Sequence, residues 1–179
     1  MRILHAVFVV EIAEGGIDRL GAHDRAHVLV DLVAHGLAGD GAGIHQVTPV
    51  LAKYVDFFSI GTNDLVQYTL AVDRGNANIS YLYNHFNPAV LRLVQRTITS
   101  ARENGIWAGM CGEMASDPNA AVLLMAMGIN ELSMSAPSIP RVKEKIRSIS
   151  SVKAKEILAD VMTMEDGDDI RNYLQKILG

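Results

Sequence analysis

The sequence predicts an α/β protein with parallel strands, and three observations carry that expectation. Short apolar runs of the fully buried kind alternate with segments of helical apolar spacing. Two of the helical segments open on a polar cap followed by proline, at Asn87-Pro88 and Asp117-Pro118. Two of the strand candidates end in clusters of small and polar residues, Gly61-Thr62-Asn63-Asp64 and Cys111-Gly112-Glu113. Strands separated by helices pair in parallel through crossovers. The pattern alone does not separate an open sheet from a closed barrel.

The elements follow in chain order. Residues 3–10 form an apolar run that suits a strand, and residues 20–37 have helix-like apolar spacing. Residues 36–43, GLAGDGAG, suit a flexible connection. Residues 56–60 are a short buried strand candidate, followed by a helix over residues 64–71. Asn87-Pro88 starts a helix whose stripe is Val90, Leu91, Val94, Ile98 and Ala101, and Gly105 can end it. Residues 106–110 are the next strand, and Asp117-Pro118 opens a helix to about Met127. A third short strand is expected over residues 131–134. Ser138 and Pro140 then introduce a helix with Val142, Ile146 and Ile149 on its buried side. Residues 152–161 and 168–178 carry two further helical patterns, and no internal repeat is visible.

Composition bounds the function. The chain has 179 residues, 49% of them apolar and 20% charged, which is globular composition with enough apolar mass for a core. A net charge of −4 gives no basic field for nucleic acid. No apolar run is long enough to span a bilayer, and the single Cys111 excludes an internal disulfide and suits a reducing, cytoplasmic setting. There is a compositional seam near residue 50. Five of the six histidines precede it, all six lysines follow it, and the first 50 residues carry a net −3. His23 and His27 would share a helix face near Asp24 and Asp31, but no second ligand pair has zinc-like spacing. Residues 1–50 are therefore expected to be an atypical segment joined to an ordinary domain at 51–179.

In parallel α/β folds the loops after the strands form the site. Gly61 allows close backbone approach, Asn63 offers an amide donor, and Asp64 supplies a hard oxygen suited to Mg²⁺. Arg74 follows ten residues after Asp64, a planar cation suited to phosphate or carboxylate. The second strand end presents the Cys111 thiol with Gly109 and Gly112 around it. Singly, these residues suit a helix cap, a surface ion pair and an inert buried thiol. Together at strand ends they suit a metal-assisted phosphate or carboxylate site.

The stretches DFFSIGTNDLVQYTLAVDRGN, YLYNHFNPAVLRLV, GMCGEMASDP and ELSMSAPSIPRVKEKIR, in this order, resemble the C-terminal part of Enzyme I. Enzyme I is the phosphoenolpyruvate–protein phosphotransferase of the bacterial sugar phosphotransferase system. Pyruvate phosphate dikinase and phosphoenolpyruvate synthase share the broader pattern. The resemblance implies the C-terminal part of a (β/α)₈ TIM-type barrel of the phosphoenolpyruvate/pyruvate-binding kind, left incomplete by a matching stretch of residues 51–179 against a usual ~250. It implies that Asp64 coordinates Mg²⁺, that Asn63 and Arg74 bind the substrate anion, and that Cys111 donates a proton to the enolpyruvate carbon. Glu113, beside Cys111, would have at most a supporting role. Val10-Glu11-Ile12-Ala13 echoes the family's metal-binding Val-Glu-Ile-Pro strand, which would make Glu11 a second ligand. Glu11 lies 53 residues before Asp64, however, a longer separation than the family pattern has.

The function so implied is phosphoryl transfer from phosphoenolpyruvate to a protein histidine. A histidine-containing phosphocarrier protein would be the downstream partner and a homodimer the assembly. The isolated chain is expected to be inactive or weak. The rival expectation is a non-catalytic dimerisation or regulatory module derived from the same barrel.

Overall fold

The computed structural model describes Val28–Leu29 and residues 48–179. Expectations for residues 3–10, Glu11, the five N-terminal histidines and the 36–43 connection lie outside the described residues. Four strands form one parallel sheet in the order β1 (Val28–Leu29), β2 (Phe57–Gly61), β3 (Trp107–Cys111), β4 (Glu131–Leu132). β1 corrects an expectation, because Val28 and Leu29 fall inside the stretch read as helical. They pair in parallel with Phe58 and Ser59. Val28-Leu29-Val30 is a short continuous apolar run, and periodicity cannot tell such a run from a buried strand.

β2 and β3 each lie one residue later than predicted. Five Cα pairs fix their register, from Phe57 opposite Trp107 to Gly61 opposite Cys111. β4 is shorter than expected, although the Ser133 N–H still donates to the Met110 carbonyl at 2.8 Å. Side chains alternate across a sheet, so these pairs sort into two faces. Phe58, Ile60, Ala108 and Met110 join the main apolar core. Phe57, Ser59, Trp107 and Gly109 share the other face, and none of them belongs to that core.

The helices cover the first face. α1 (Thr62–Leu70) follows β2 directly, and α2 (Pro88–Glu103) packs on β2 and β3. The predicted cap at Asn87 is present, with its side chain accepting from the Ala89 N–H at 2.9 Å. Gly105, at φ 73°, ends α2 in a Schellman turn: Ile106 donates to Ala101 and Gly105 to Arg102. After β3 come a one-turn α3 (Glu113–Ser116), which the sequence reading did not foresee, and α4 (Pro118–Met127). Residues 120–124 of α4 are all buried, as a helix that is apolar all round requires. α4 is wrapped by α5 (Ile139–Arg147), α6 (Ser151–Val161) and α7 (Gly167–Leu178) as well as by α2. Val142 and Ile146 of α5 are buried as expected, while Ile149 lies past the helix end and is half-buried. Among the described residues, no helix is long and apolar enough to cross a membrane.

Leu123 sits fully buried at the centre of this packing. Leu123→Ala should lower unfolding free energy by about 2–5 kcal/mol in urea titrations. Val152→Ala, at a 68% exposed position, should change it by less than about 0.5 kcal/mol.

Candidate functional site

β2 and β3 end side by side, and the residues that follow them are bonded across the gap. The Thr62 hydroxyl donates to the Cys111 carbonyl at 2.9 Å. The Glu113 backbone N–H donates to Asn63 Oδ1 at 3.0 Å. Gly112 lies between the two bonds at φ 102° and ψ −172°, a conformation reserved for glycine. A Cβ there would stand 2.5 Å from Thr62 Oγ1 and 2.9 Å from Asn63 Oδ1. With Oδ1 accepting from Glu113, the remaining polar end of the Asn63 amide is a donor.

Asp64 occupies the first turn of α1, whose N-cap Gly61 supplies no side-chain acceptor. A carboxylate is favoured there by the helix dipole. Arg74 lies in the exposed segment after α1. The Tyr83 hydroxyl donates to the Asn63 carbonyl at 3.1 Å, and the Arg74 guanidinium acts electrostatically on it. Burial pushes the Tyr83 phenol above its ordinary value; the Glu113 and Asp64 carboxylates add to this and Arg74 opposes it. Those four side chains therefore share one electrostatic neighbourhood.

Beside them an open pocket of about 680 Å³ spans the ends of β2, β3 and β4. Asn63, Glu113, His85, Asp117 and Arg141 bring its polar groups, and residues 133–135 form its β4 side. Of the sequence-predicted site residues only Asn63 lines this pocket, whereas Asp64, Arg74 and Cys111 do not. Cys111 is the last residue of β3 and is partly buried. Glu11 lies outside the described residues.

His85 and Arg141 had not been singled out, and Asp117 had been read only as a cap. That capping role holds: Asp117 Oδ1 accepts from the Asn119 and Ala120 N–H groups at 2.8 and 3.1 Å. Asp117 Oδ2 lies 3.4 Å from His85 Nε2. At that length the approach is electrostatic more than a well-aligned hydrogen bond, and Nε2 has no other acceptor. Burial works against ionisation of Asp117, but His85 and the two backbone amides outweigh it and hold the carboxyl below its ordinary value.

Residues 43–151 match the family described as PEP-utilising enzyme, PEP-binding domain. The chain belongs to that family. Curated relatives carry the name phosphoenolpyruvate-protein phosphotransferase. One from Haemophilus influenzae is 58% identical over 110 residues, 62% of this chain and 19% of the relative. One from Buchnera aphidicola (of Acyrthosiphon pisum) is 50% identical over 132 residues, 74% of this chain and 23% of the relative. A third, from Priestia megaterium, is 46% identical over 129 residues, covering 72% and 22%. The chain thus spans about a fifth to a quarter of the length of the curated relatives it matches. The family segment takes in β2, β3, β4 and the pocket residues, and stops at the first residue of α6.

Whether the residues present suit a magnesium ion is tested by their donor chemistry. Among the described residues, no group of three or more His, Cys, Asp or Glu side chains could hold a metal alone. Mg²⁺ is commonly bound by one or two carboxylates completed by substrate phosphate and water. Asp64 fits that mode and no more enclosed one.

Gly112→Ala should cost about 1–3 kcal/mol in thermal or chemical unfolding, because both strain and contact oppose it. Asp117→Ala should cost about 1 kcal/mol at neutral pH through the lost cap. A carboxyl whose folded pKa is depressed contributes fully above its ordinary value, here 3.8, and loses that contribution as pH falls through the folded pKa. The gap between wild type and Asp117→Ala should therefore begin to narrow only as pH falls below 3.8 and go on narrowing through the lower folded pKa, which unfolding curves across pH would read.

Proposed function

We propose that this chain carries part of a phosphoenolpyruvate site and that its chemistry is phosphoryl transfer from phosphoenolpyruvate to a protein histidine. The observation that carries the reading is the family match over residues 43–151, laid across the two bonded strand ends that hold Asn63, Asp64 and Cys111. The relatives' shared name supports the same chemistry. In this reading residues 51–179 are the closing portion of a (β/α)₈ barrel. Support comes from the strand order β2-β3-β4 within that range, which runs in sequence without the reversal of a doubly wound sheet.

The roles follow from donor type. Asp64 would hold Mg²⁺, which when bound would neutralise the charge gathering on the phosphoryl and enolate oxygens. The Asn63 amide donates to a phosphate oxygen, and the Arg74 guanidinium pairs with the substrate's anionic groups. Cys111 holds the proton that the enolpyruvate carbon takes up once the phosphoryl group has left. The histidine-containing phosphocarrier protein, homodimerisation and a cytoplasmic setting belong to the same proposal.

Isothermal calorimetry of the 179-residue chain with phosphoenolpyruvate and Mg²⁺ tests it. Asp64→Ala should weaken binding by at least about a hundredfold, since a metal ligand is worth several kcal/mol. Equal binding by wild type and Asp64→Ala would sink the assignment. The chain alone should phosphorylate a carrier protein weakly or not at all, and brisk transfer in a gel-shift assay would show that its site is complete.

A further inference from the structure

Asn84 joins the segment between α1 and α2 to the last helix of the chain. Its Nδ2 donates to Asp168 Oδ1 at 3.0 Å, and its Oδ1 accepts from Arg171 Nη2 at 3.0 Å. The same Oδ1 also accepts from the Phe86 N–H at 3.0 Å, so both ends of the amide are committed. Arg171 reaches Asp168 as well, at 3.3 Å. Gly167 opens α7 directly against this turn: a Cβ on it would lie 2.7 Å from Asn84 Nδ2 and 3.1 Å from the Asn87 backbone. The close approach needs a glycine, and Gly167 is buried. α7 itself is started by Asp166, whose side chain accepts from Asp168 and Asp169.

The residue next to Asn84 is Tyr83, and its hydroxyl reaches 20 residues back to the Asn63 carbonyl. A phenol hydroxyl donates one hydrogen bond and can accept others. The Arg74 guanidinium acts electrostatically on the same phenol, favouring its ionised form. Asn63 in turn holds the Glu113 amide through Oδ1. A chain of contacts thus runs from α7 through Asn84 and its neighbour Tyr83 to Asn63 and the start of α3.

We propose that Tyr83 is a positioning residue that holds Asn63 in place for an anionic ligand, from a turn that α7 clamps through Asn84. The inference rests on the phosphoenolpyruvate reading for the identity of the ligand, but not for the hold on Asn63. It also gives work to a helix that lies beyond the matched family segment.

Amide hydrogen exchange on the free 179-residue chain decides the hold on Asn63. In Tyr83→Phe the Glu113 amide and the first turn of α1 should exchange about tenfold faster, with far-UV circular dichroism unchanged. Asn84→Ala should do the same, while Tyr81→Phe, at a 78% exposed position, should do neither. Unchanged exchange in Tyr83→Phe overturns the proposal. Titration with phosphoenolpyruvate and Mg²⁺ supplies the second arm. Tyr83→Phe should weaken binding about tenfold, and its effect should be less than additive with Asn63→Ala in a double-mutant cycle. Additive effects, or faster exchange with undiminished affinity, would reduce Tyr83 to a structural residue and overturn the proposal. A wild-type chain that binds no phosphoenolpyruvate while Tyr83→Phe speeds exchange would overturn the substrate reading and leave the Tyr83–Asn63 hold supported.

Discussion

The gap at Gly112 is the constraint on which the rest of the site depends. The segments that leave the two strands come this close only because residue 112 has no side chain, which would enter the space of Thr62 and Asn63. The two bonds on either side of it tie the start of α1 to the end of β3 and to the start of α3. Register makes this specific. Gly61 opposite Cys111 is the last of five consecutive pairs, and a slip of one residue would exchange the core face with the other along both strands.

Core packing secures that register from the helix side. Phe58 and Ile60 of β2, with Ala108 and Met110 of β3, face Val90, Val94 and Ile98 of α2 in one buried cluster. α4 sits behind, apolar on all sides because helices surround it. The polar devices lie at element ends: Asn87, Asp117, Ser150 and Asp166 each satisfy helix-start amides with a side-chain oxygen. Apolar surface thus fixes where the elements lie, and caps and short side-chain bonds fix how their ends meet.

Much of this was legible because it is local. A cap and a proline are adjacent in sequence, and the Gly105 turn is set by the five residues before it, so Asn87-Pro88, Asp117-Pro118 and Gly105 could each be placed. The strands were visible as apolar runs but displaced by one residue, since ladder pairing, not composition, sets their ends. Val28-Leu29 was misplaced in a helix for the same reason: a two-residue strand has no periodicity of its own. The candidates Asn63, Asp64, Arg74 and Cys111 stand out in the sequence through short motifs. Tyr83 and Asn84 carry no local signal, because their partners are 20 and 84 residues away. Arg141 and His85 reach the pocket only through the packing of α5 and the turn before α2, which no local pattern encodes.

The face of the sheet outside the helical core has one more consequence. Phe57 and Trp107, paired in register, stack with ring centroids 4.1 Å apart at the amino-terminal end of β2 and β3. Trp107 is the only tryptophan in the chain, so its emission comes from one known place, the far end of the two strands from Gly112. The protein thus carries an intrinsic fluorophore at the foot of the strand pair whose tips hold Asn63 and Cys111. Light from that ring reports on the sheet itself and is separated by the length of a strand from anything that binds above it.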